Sequence, residues 1–306
     1  MKKTILSLSL LSLSLFSHAE VLTTIKPLGF IANAITDGVT DTKVLLPVSA
    51  SPHDYSLKPS DVEQLNSAQL VVWVGHGLES FLDKSIDKLP KERVLTLAEV
   101  PAIAEIVAKT EKHDDHDHDL GHHEHSHAHD GHDHSKDWHI WLSSDAADIA
   151  AEQIAARLTQ QYPAQKAKIA DNLANFKTVL AAKKAELQKQ LAPVKEKGYY
   201  TFHEAYGYFE SAYGLHPLGS FTINPTVAPG AKTLAKIKEH VSSKQAKCLF
   251  AEPQFTPRVI ESLSKGTQVK VGQLDPLGAK VEMGKNAYPA FLQSLADEFS
   301  QCLAEK

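Results

Sequence analysis

Short apolar runs rich in β-branched residues alternate with helical segments along most of the chain, and this alternation restricts the fold most. The strand candidates are VLTTI (21–25), VLLPV (44–48), LVVWVG (70–75), RVLTLAE, DWHIWLS, GYYTFHEAY, CLFAEPQ and VKVGQLD. Because parallel strands need crossover connections, the alternation predicts an α/β fold built on parallel sheets. Ser60 with Glu63 predicts a capping box for the helix after 44–48, and Asp145 is a candidate cap for a later helix.

One longer helical segment separates the strand candidates into two sets. After Pro163, apolar residues recur at steps of three, four or seven, at Ile169, Leu173, Phe176, Leu180, Leu187 and Leu191. This spacing predicts one buried stripe on a helix of about 29 residues, roughly 43 Å long, which Pro193 ends. We therefore predict two (β/α) lobes with parallel sheets, over 20–162 and 194–306, joined by a long rigid linker helix over 163–193.

The first nineteen residues have the features of a cleavable signal peptide. Lys2 and Lys3 precede an apolar run, Ile5 to Phe16, that is too short to span a bilayer. Ser17-His18-Ala19 places small residues before a cleavage site, so we predict cleavage after Ala19. We expect an exported, soluble protein with no spanning helix.

A polar tract interrupts the first lobe. The segment 113–134 holds ten of the seventeen histidines and seven carboxylates, with no Lys or Arg. Its lack of periodicity predicts a disordered surface loop over 113–136. Its histidines are candidate auxiliary metal ligands: His113, His116, His118, His122, His123, His125, His127, His129, His132 and His134.

The tract is expected to bind metal more weakly than a site built by the fold, because a disordered segment loses conformational entropy when it grips an ion. Two interpretations stay open. The tract either gathers zinc for another site or senses its abundance, or it is a dispensable loop that binds metal as any polyhistidine does.

Three solitary histidines lie where a cleft between parallel sheets is expected. His53 follows VLLPV, His139 lies in DWHIWLS, and His203 follows GYYTF; Asp275 also follows a strand candidate. Ligands bind outside the carboxyl ends of parallel strands and between lobes. Three imidazoles with a carboxylate or water form a tetrahedral zinc set, and imidazole suits zinc, copper or nickel better than manganese. Spacing alone equally permits three unrelated histidines that make ordinary hydrogen bonds.

The remaining single residues carry weaker signals. His76 follows a strand candidate and is a candidate rim residue, whereas His216 and His240 are expected to be ordinary surface groups. Cys248 and Cys302 are the only cysteines. In an oxidising compartment such a pair is most simply a disulfide, and two thiolate metal ligands are the weaker alternative because neither lies in a CxxC motif.

Other classes of protein fit the sequence less well. A formal net charge of −5 gives no nucleic-acid-binding character. His203-Glu204 suggests the HExxH helix of a zinc hydrolase, but Gly207 stands where the second histidine is needed. No Gly-x-Ser-x-Gly elbow is present and neither cysteine is expected to be a free nucleophile, so we do not expect an enzyme. A metal buffer or chaperone that acts through the tract alone is a further alternative, although storage needs no two-lobed architecture.

Several blocks, in this order, resemble the metal-binding receptors of ABC importers for zinc and manganese, and most closely the zinc members. They are HDYSLKPSDV, LVVWVG, HIWLS, TFHEAYGYFESAYGL, CLFAEPQF and QLDPLG, within 21–303. The resemblance implies two lobes joined by a rigid helix and metal in the cleft between them. It also implies a periplasmic, high-affinity Zn²⁺ receptor whose partner is a membrane permease, and we expect a monomer.

The resemblance further implies which residues bind the ion. It gives His53, His139 and His203 as ligands, Asp275 as a ligand or near neighbour, and Cys248–Cys302 as a disulfide. A carboxylate is typical of manganese members where His203 stands. Some zinc members place a glutamate just before the first histidine, but this chain has Pro52 there. The fourth ligand is therefore Asp275, water or a tract residue.

Overall fold

The computed structural model describes residues 20–110, 136–223, 225, 227–255 and 258–304. The predicted signal peptide and all ten histidines of the tract lie outside the described residues, so both predictions stay untested by the structure. The described part forms two lobes, each built on a four-stranded parallel sheet. The predicted α/β fold with two parallel-sheet lobes is confirmed.

The first sheet has the strand order β2-β1-β3-β4. Its strands are β1 (Glu20–Thr23), β2 (Asp41–Val44), β3 (Leu70–Trp73) and β4 (Val94–Thr96). All residues of β3 are buried, as expected for a parallel strand covered on both faces. The predicted strand 44–48 is wrong, because the edge strand β2 ends at Val44. The polar sequence DTKV has only one neighbouring strand and alternates between exposed and half-buried residues, so it carries no apolar run.

The second sheet repeats this arrangement with the order β6-β5-β7-β8. Its strands are β5 (Gly198–His203), β6 (Pro217–Thr222), β7 (Ala246–Ala251) and β8 (Lys270–Gln273). The strand candidates at β5, β7 and β8 are confirmed. The strand β6 was not predicted, because Pro217 and Gly219 are unfavourable in a strand interior; the edge position of β6 tolerates them.

Helices connect the strands and pack against the sheets. They are α1 (Lys26–Thr36), α2 (Pro59–Ser67), α3 (His76–Glu79), α4 (Asp83–Ile86), α5 (Pro101–Ala108), α6 (Ser144–Gln161), α7 (Lys166–Leu191), α8 (Gly207–Tyr213), α9 (Ala231–Ser242), α10 (Arg258–Ser264) and α11 (Ala287–Leu303). Among the described residues, no helix combines the length and the apolar character needed to cross a bilayer.

Two predicted helix starts are wrong. The helix α2 begins at Pro59, whose fixed φ suits the first helical position, and Asp61 accepts a hydrogen bond from the Lys58 N–H at 2.8 Å. This leaves Ser60 inside the helix instead of at its cap. The helix α6 is capped by Ser143, whose Oγ accepts from the Ala146 N–H at 3.2 Å, and not by Asp145.

The segment DWHIWLS is not a strand. Ile140–Leu142 forms a 3₁₀ turn just before α6, and all three residues are buried. Trp141 donates a hydrogen bond from its Nε1 to the Pro276 carbonyl at 2.7 Å, in the second lobe. The apolar run is therefore explained by burial between the lobes and not by a place in a sheet.

The linker helix α7 has 26 residues and is flanked by 3₁₀ turns at Pro163–Gln165 and Ala192–Val194. The predicted stripe is buried, except that Leu173 is only partly buried. The C-terminal helix α11 makes a second connection, because it also packs against α1 of the first lobe, where the Phe30 and Phe291 rings lie 5.8 Å apart. The predicted disulfide is confirmed: Cys248 in β7 is bonded to Cys302 in α11.

Candidate metal centre

The three solitary histidines meet between the lobes. The Nε2 atom of His139 lies 3.1 Å from Nε2 of His53 and 3.3 Å from Nε2 of His203. His139 and His203 are buried, and His53 is half-buried. Within the described residues they form one group whose ligand atoms all lie within 4.8 Å of one another. The structure thus brings the three predicted ligand residues to one point.

His53 lies in the loop between β2 and α2, beside an isolated bridge between Ser51 and Asp54. The Ser51 Oγ accepts a hydrogen bond from the His53 N–H at 3.2 Å. This small turn directs the ring into the cleft. Pro52 offers no side-chain ligand, but it lines the space around the three rings.

His139 is held by Asp137, two residues before it. The Asp137 Oδ1 accepts from the His139 backbone N–H at 2.9 Å and lies 2.7 Å from the Nδ1 atom of the ring. The imidazole also makes an edge contact with Trp141, with ring centroids 5.2 Å apart. Because Nδ1 faces a carboxylate, Nε2 is the nitrogen left to bind an ion.

His203 is the last residue of β5, and Glu252 holds its ring in the same way. The Glu252 Oε1 lies 2.7 Å from the His203 Nδ1. Glu252 follows β7, which pairs directly with β5, so the carboxyl ends of two neighbouring strands place ligand and carboxylate side by side.

Neither Asp137 nor Glu252 was predicted from the sequence. Asp137 follows an acid-rich tract in which one more carboxylate carries no signal. Glu252 lies within the strand candidate CLFAEPQ, but the sequence does not show that β7 pairs with β5. A search for carboxylates near the carboxyl ends of strand candidates would have found Glu252.

The spacing of the rings fits a small tetrahedral ion. Ligand nitrogens on a tetrahedral zinc ion, each about 2.0–2.1 Å from the metal, lie roughly 3.3–3.4 Å from one another. The observed separations of 3.1 and 3.3 Å are close to this value. The space beside the rings is a cavity of about 10 Å³. Its other walls include Pro52, Trp141, Phe255, Pro276 and Leu277. A cavity of this size holds about one water-sized particle.

Asp275 lies beside the cavity wall, but its carboxylate is already engaged. Its Oδ1 accepts hydrogen bonds from the Gln254 Nε2 and the Leu277 N–H, both at 3.0 Å, and its Oδ2 accepts from the Ala279 N–H at 2.6 Å. These bonds fix the loop after β8 against the rest of the second lobe. Asp275 as the fourth ligand stays a prediction.

The other solitary histidines do not join this group. His76 is exposed, and its Nδ1 lies 2.5 Å from the Asp83 Oδ2. His240 is hydrogen-bonded through Nδ1 to the Tyr200 hydroxyl at 2.7 Å, and His216 is exposed.

A larger cavity of about 650 Å³ lies beside the rings, with walls from both lobes. His53 and His139 form part of its wall. So do Thr110 and Lys136, the described residues on either side of the tract, and the acidic Glu210. Burial raises the pKa of Glu210 to about 7.

Comparisons with known proteins give one consistent family. A family model described as "ZnuA: Zinc-uptake complex component A periplasmic" matches residues 21–302. The chain is 69% identical over 308 residues to the high-affinity zinc uptake system protein ZnuA of Haemophilus ducreyi, with 99% of each chain covered. It is 49% identical over 335 residues to the protein of that name from Haemophilus influenzae, covering 100% of this chain and 99% of the relative. A crystal structure of ZnuA is 22% identical, with 94% of this chain and 99% of that chain covered and a TM-score of 0.75, which supports the fold.

Proposed function

The chain belongs to the ZnuA family of zinc-uptake components, and on that premise we propose that it is a periplasmic receptor that captures Zn²⁺ with high affinity between its lobes and delivers it to the permease of an ABC importer. One observation carries the proposal. The Nε2 atoms of His53 and His203 both lie at tetrahedral zinc spacing from the Nε2 atom of His139, beside a cavity for one small ion.

The site is built for binding rather than for turnover. Neutral imidazoles supply the donor atoms, and protonation of the rings competes with the ion. The space bounded by all three rings is a small, mostly apolar cavity that holds about one small ion. The zinc-hydrolase alternative gains no support, because Gly207 begins α8 and offers no ligand four residues after His203.

The fourth coordination position is proposed to belong to Asp275, which would give up part of its hydrogen bonding to reach the ion. Water and a tract residue are the alternatives, since Pro52 cannot coordinate through its side chain.

The tract is proposed to gather zinc for the cleft. The Asp137 N–H donates to the Thr110 Oγ1 at 2.9 Å, so the described residues on both sides of the tract are tied together at the wall of the large cavity. Zinc held by the tract would therefore start close to His53 and His139. A metal buffer acting through the tract alone is the second candidate.

Export and assembly complete the proposal. Cleavage after Ala19 would release the mature protein into the periplasm, and it would act as a monomer. The lobe boundaries 20–162, 163–193 and 194–306 are part of the same proposal.

Delivery to the permease is tested by growth. A bacterial strain that lacks its own zinc receptor, grown with a zinc chelator, should be rescued by the wild-type chain. The variant with His53, His139 and His203 all changed to Ala should fail at equal protein level. Equal rescue by both chains would contradict delivery from the cleft.

A further inference from the structure

Two carboxylates stand directly behind the proposed ligands. Asp137 faces the Nδ1 of His139 and Glu252 faces the Nδ1 of His203, each at 2.7 Å. The side chain of Asp137 is 15% exposed and that of Glu252 only 1% exposed. One carboxylate belongs to each lobe, so the proposed site carries fixed negative charge on both of its sides.

A buried carboxylate is costly unless nearby charge or hydrogen bonds compensate it. A neutral imidazole supplies a hydrogen bond but no charge. A cation held at Nε2 of the same ring supplies the positive charge. The three neutral rings attract an ion through their lone pairs and dipoles but bring no net charge to the site.

We propose that Asp137 and Glu252 make the site selective for divalent over monovalent metal ions, through their charge and without coordinating the ion themselves. This inference rests on the proposed function of the three histidines. The attraction between a fixed charge and an ion is proportional to the charge of the ion, so each carboxylate favours a divalent ion twice as strongly, in free energy, as a monovalent ion at the same place.

Amide substitutions separate charge from geometry. In Glu252→Gln and Asp137→Asn, an amide oxygen still accepts the hydrogen bond from Nδ1, so the ring keeps its orientation while one negative charge is lost. Asp145→Asn is the matched control. Asp145 lines the large cavity but pairs with the Lys184 Nζ at 2.6 Å and not with a proposed ligand ring.

The affinities for Zn²⁺ and, without oxygen, for Cu⁺ are measured by competition with a chelator of known affinity. Removal of one such carboxylate should weaken Zn²⁺ binding by about 10–100-fold. The fold loss in Cu⁺ affinity should be about the square root of the fold loss in Zn²⁺ affinity, roughly 3–10-fold, because the charge of Cu⁺ is half as large. Asp145→Asn should change neither affinity by as much. Equal fold losses for the two ions, or an equal effect of Asp145→Asn, would overturn the proposal.

Two control measurements show whether a change in affinity comes from the lost charge or from a damaged fold. Thermal unfolding of the metal-free variants and the visible absorption of bound Co²⁺ report whether the fold and the ligand geometry survive. The two variants lie in different lobes, so misfolding of one leaves the other as the test. If His53→Ala leaves tight zinc binding intact, the proposed function is contradicted. If the ratio of the Zn²⁺ affinity to the Cu⁺ affinity is the same in Glu252→Gln as in the wild type, only this inference is contradicted.

Discussion

His139 and His203 come from different lobes, yet their Nε2 atoms lie 3.3 Å apart. His139 precedes α6 in the first lobe, and His203 ends β5 in the second. The helices α7 and α11 both connect the lobes, so the backbone already holds the two rings at the separation that a tetrahedral ion requires. We therefore expect capture to need only small shifts near the rings instead of a large closure of the lobes.

The fourth ligand is tested by Asp275→Asn. We expect weaker zinc binding, because the amide lacks the carboxylate charge that favours the ion. The thermal unfolding temperature should fall modestly, because the amide oxygen replaces only one carboxylate oxygen and a loop hydrogen bond made by Leu277 or Ala279 is lost. Competition titration measures the affinity. An unchanged affinity would leave the fourth position to water or to the tract.

Deletion of residues 113–134 tests the role of the tract. We expect the number of zinc ions bound per chain to fall while one tight site remains, because His53, His139 and His203 lie outside the deleted segment. Growth at low zinc should be slower than with the full chain if the tract collects zinc. Equal growth would make the tract dispensable.

Removal of the disulfide should affect stability more than binding. The bond closes a loop with a sequence separation of 54 residues. In the chain-entropy model a loop of this size contributes about 4 kcal/mol to the free energy of unfolding. Urea unfolding of the variant with Cys248→Ala and Cys302→Ala should show a loss of this order, and its folded state should still bind zinc. An unchanged urea midpoint would contradict the expected contribution.

Stability of the metal-free protein should fall as the pH rises through the range between the unfolded and folded pKa values of Glu79. Burial raises the pKa of Glu79 from 4.5 to about 7, although hydrogen bonds from the Val74 and Gly75 N–H groups oppose the shift. Between these values the folded state holds more protons than the unfolded state, so raising the pH favours unfolding.

Glu79→Gln removes this titration while its amide oxygen still accepts from the Val74 N–H. Its free energy of unfolding should therefore depend less on pH between 4.5 and 7. Glu63→Gln, at an exposed position of α2, is the control and should keep the wild-type slope. Parallel slopes for Glu79→Gln and the wild type would contradict the assigned pKa.

The sequence was sufficient to predict the two parallel-sheet lobes and the linker stripe, because buried strands and a helical apolar stripe leave local signals. The three candidate ligands depended on the family resemblance, since of the three only His203 ends a strand. The sequence was insufficient for the residues whose roles depend on three-dimensional neighbours. Glu252 matters because β7 pairs with β5. The run around Trp141 was interpreted as a strand because burial between lobes and burial in a sheet need the same apolar residues.

The central claim is that the cleft histidines form the tight zinc site. Calorimetric zinc titration of the metal-free protein tests it, in a chain without 113–134 so that tract binding does not interfere. His53→Ala is compared with His216→Ala, which removes an exposed imidazole in the second lobe. We predict one tight site in the parent chain and in His216→Ala, and its loss in His53→Ala. Retention of the tight site in His53→Ala would contradict the account.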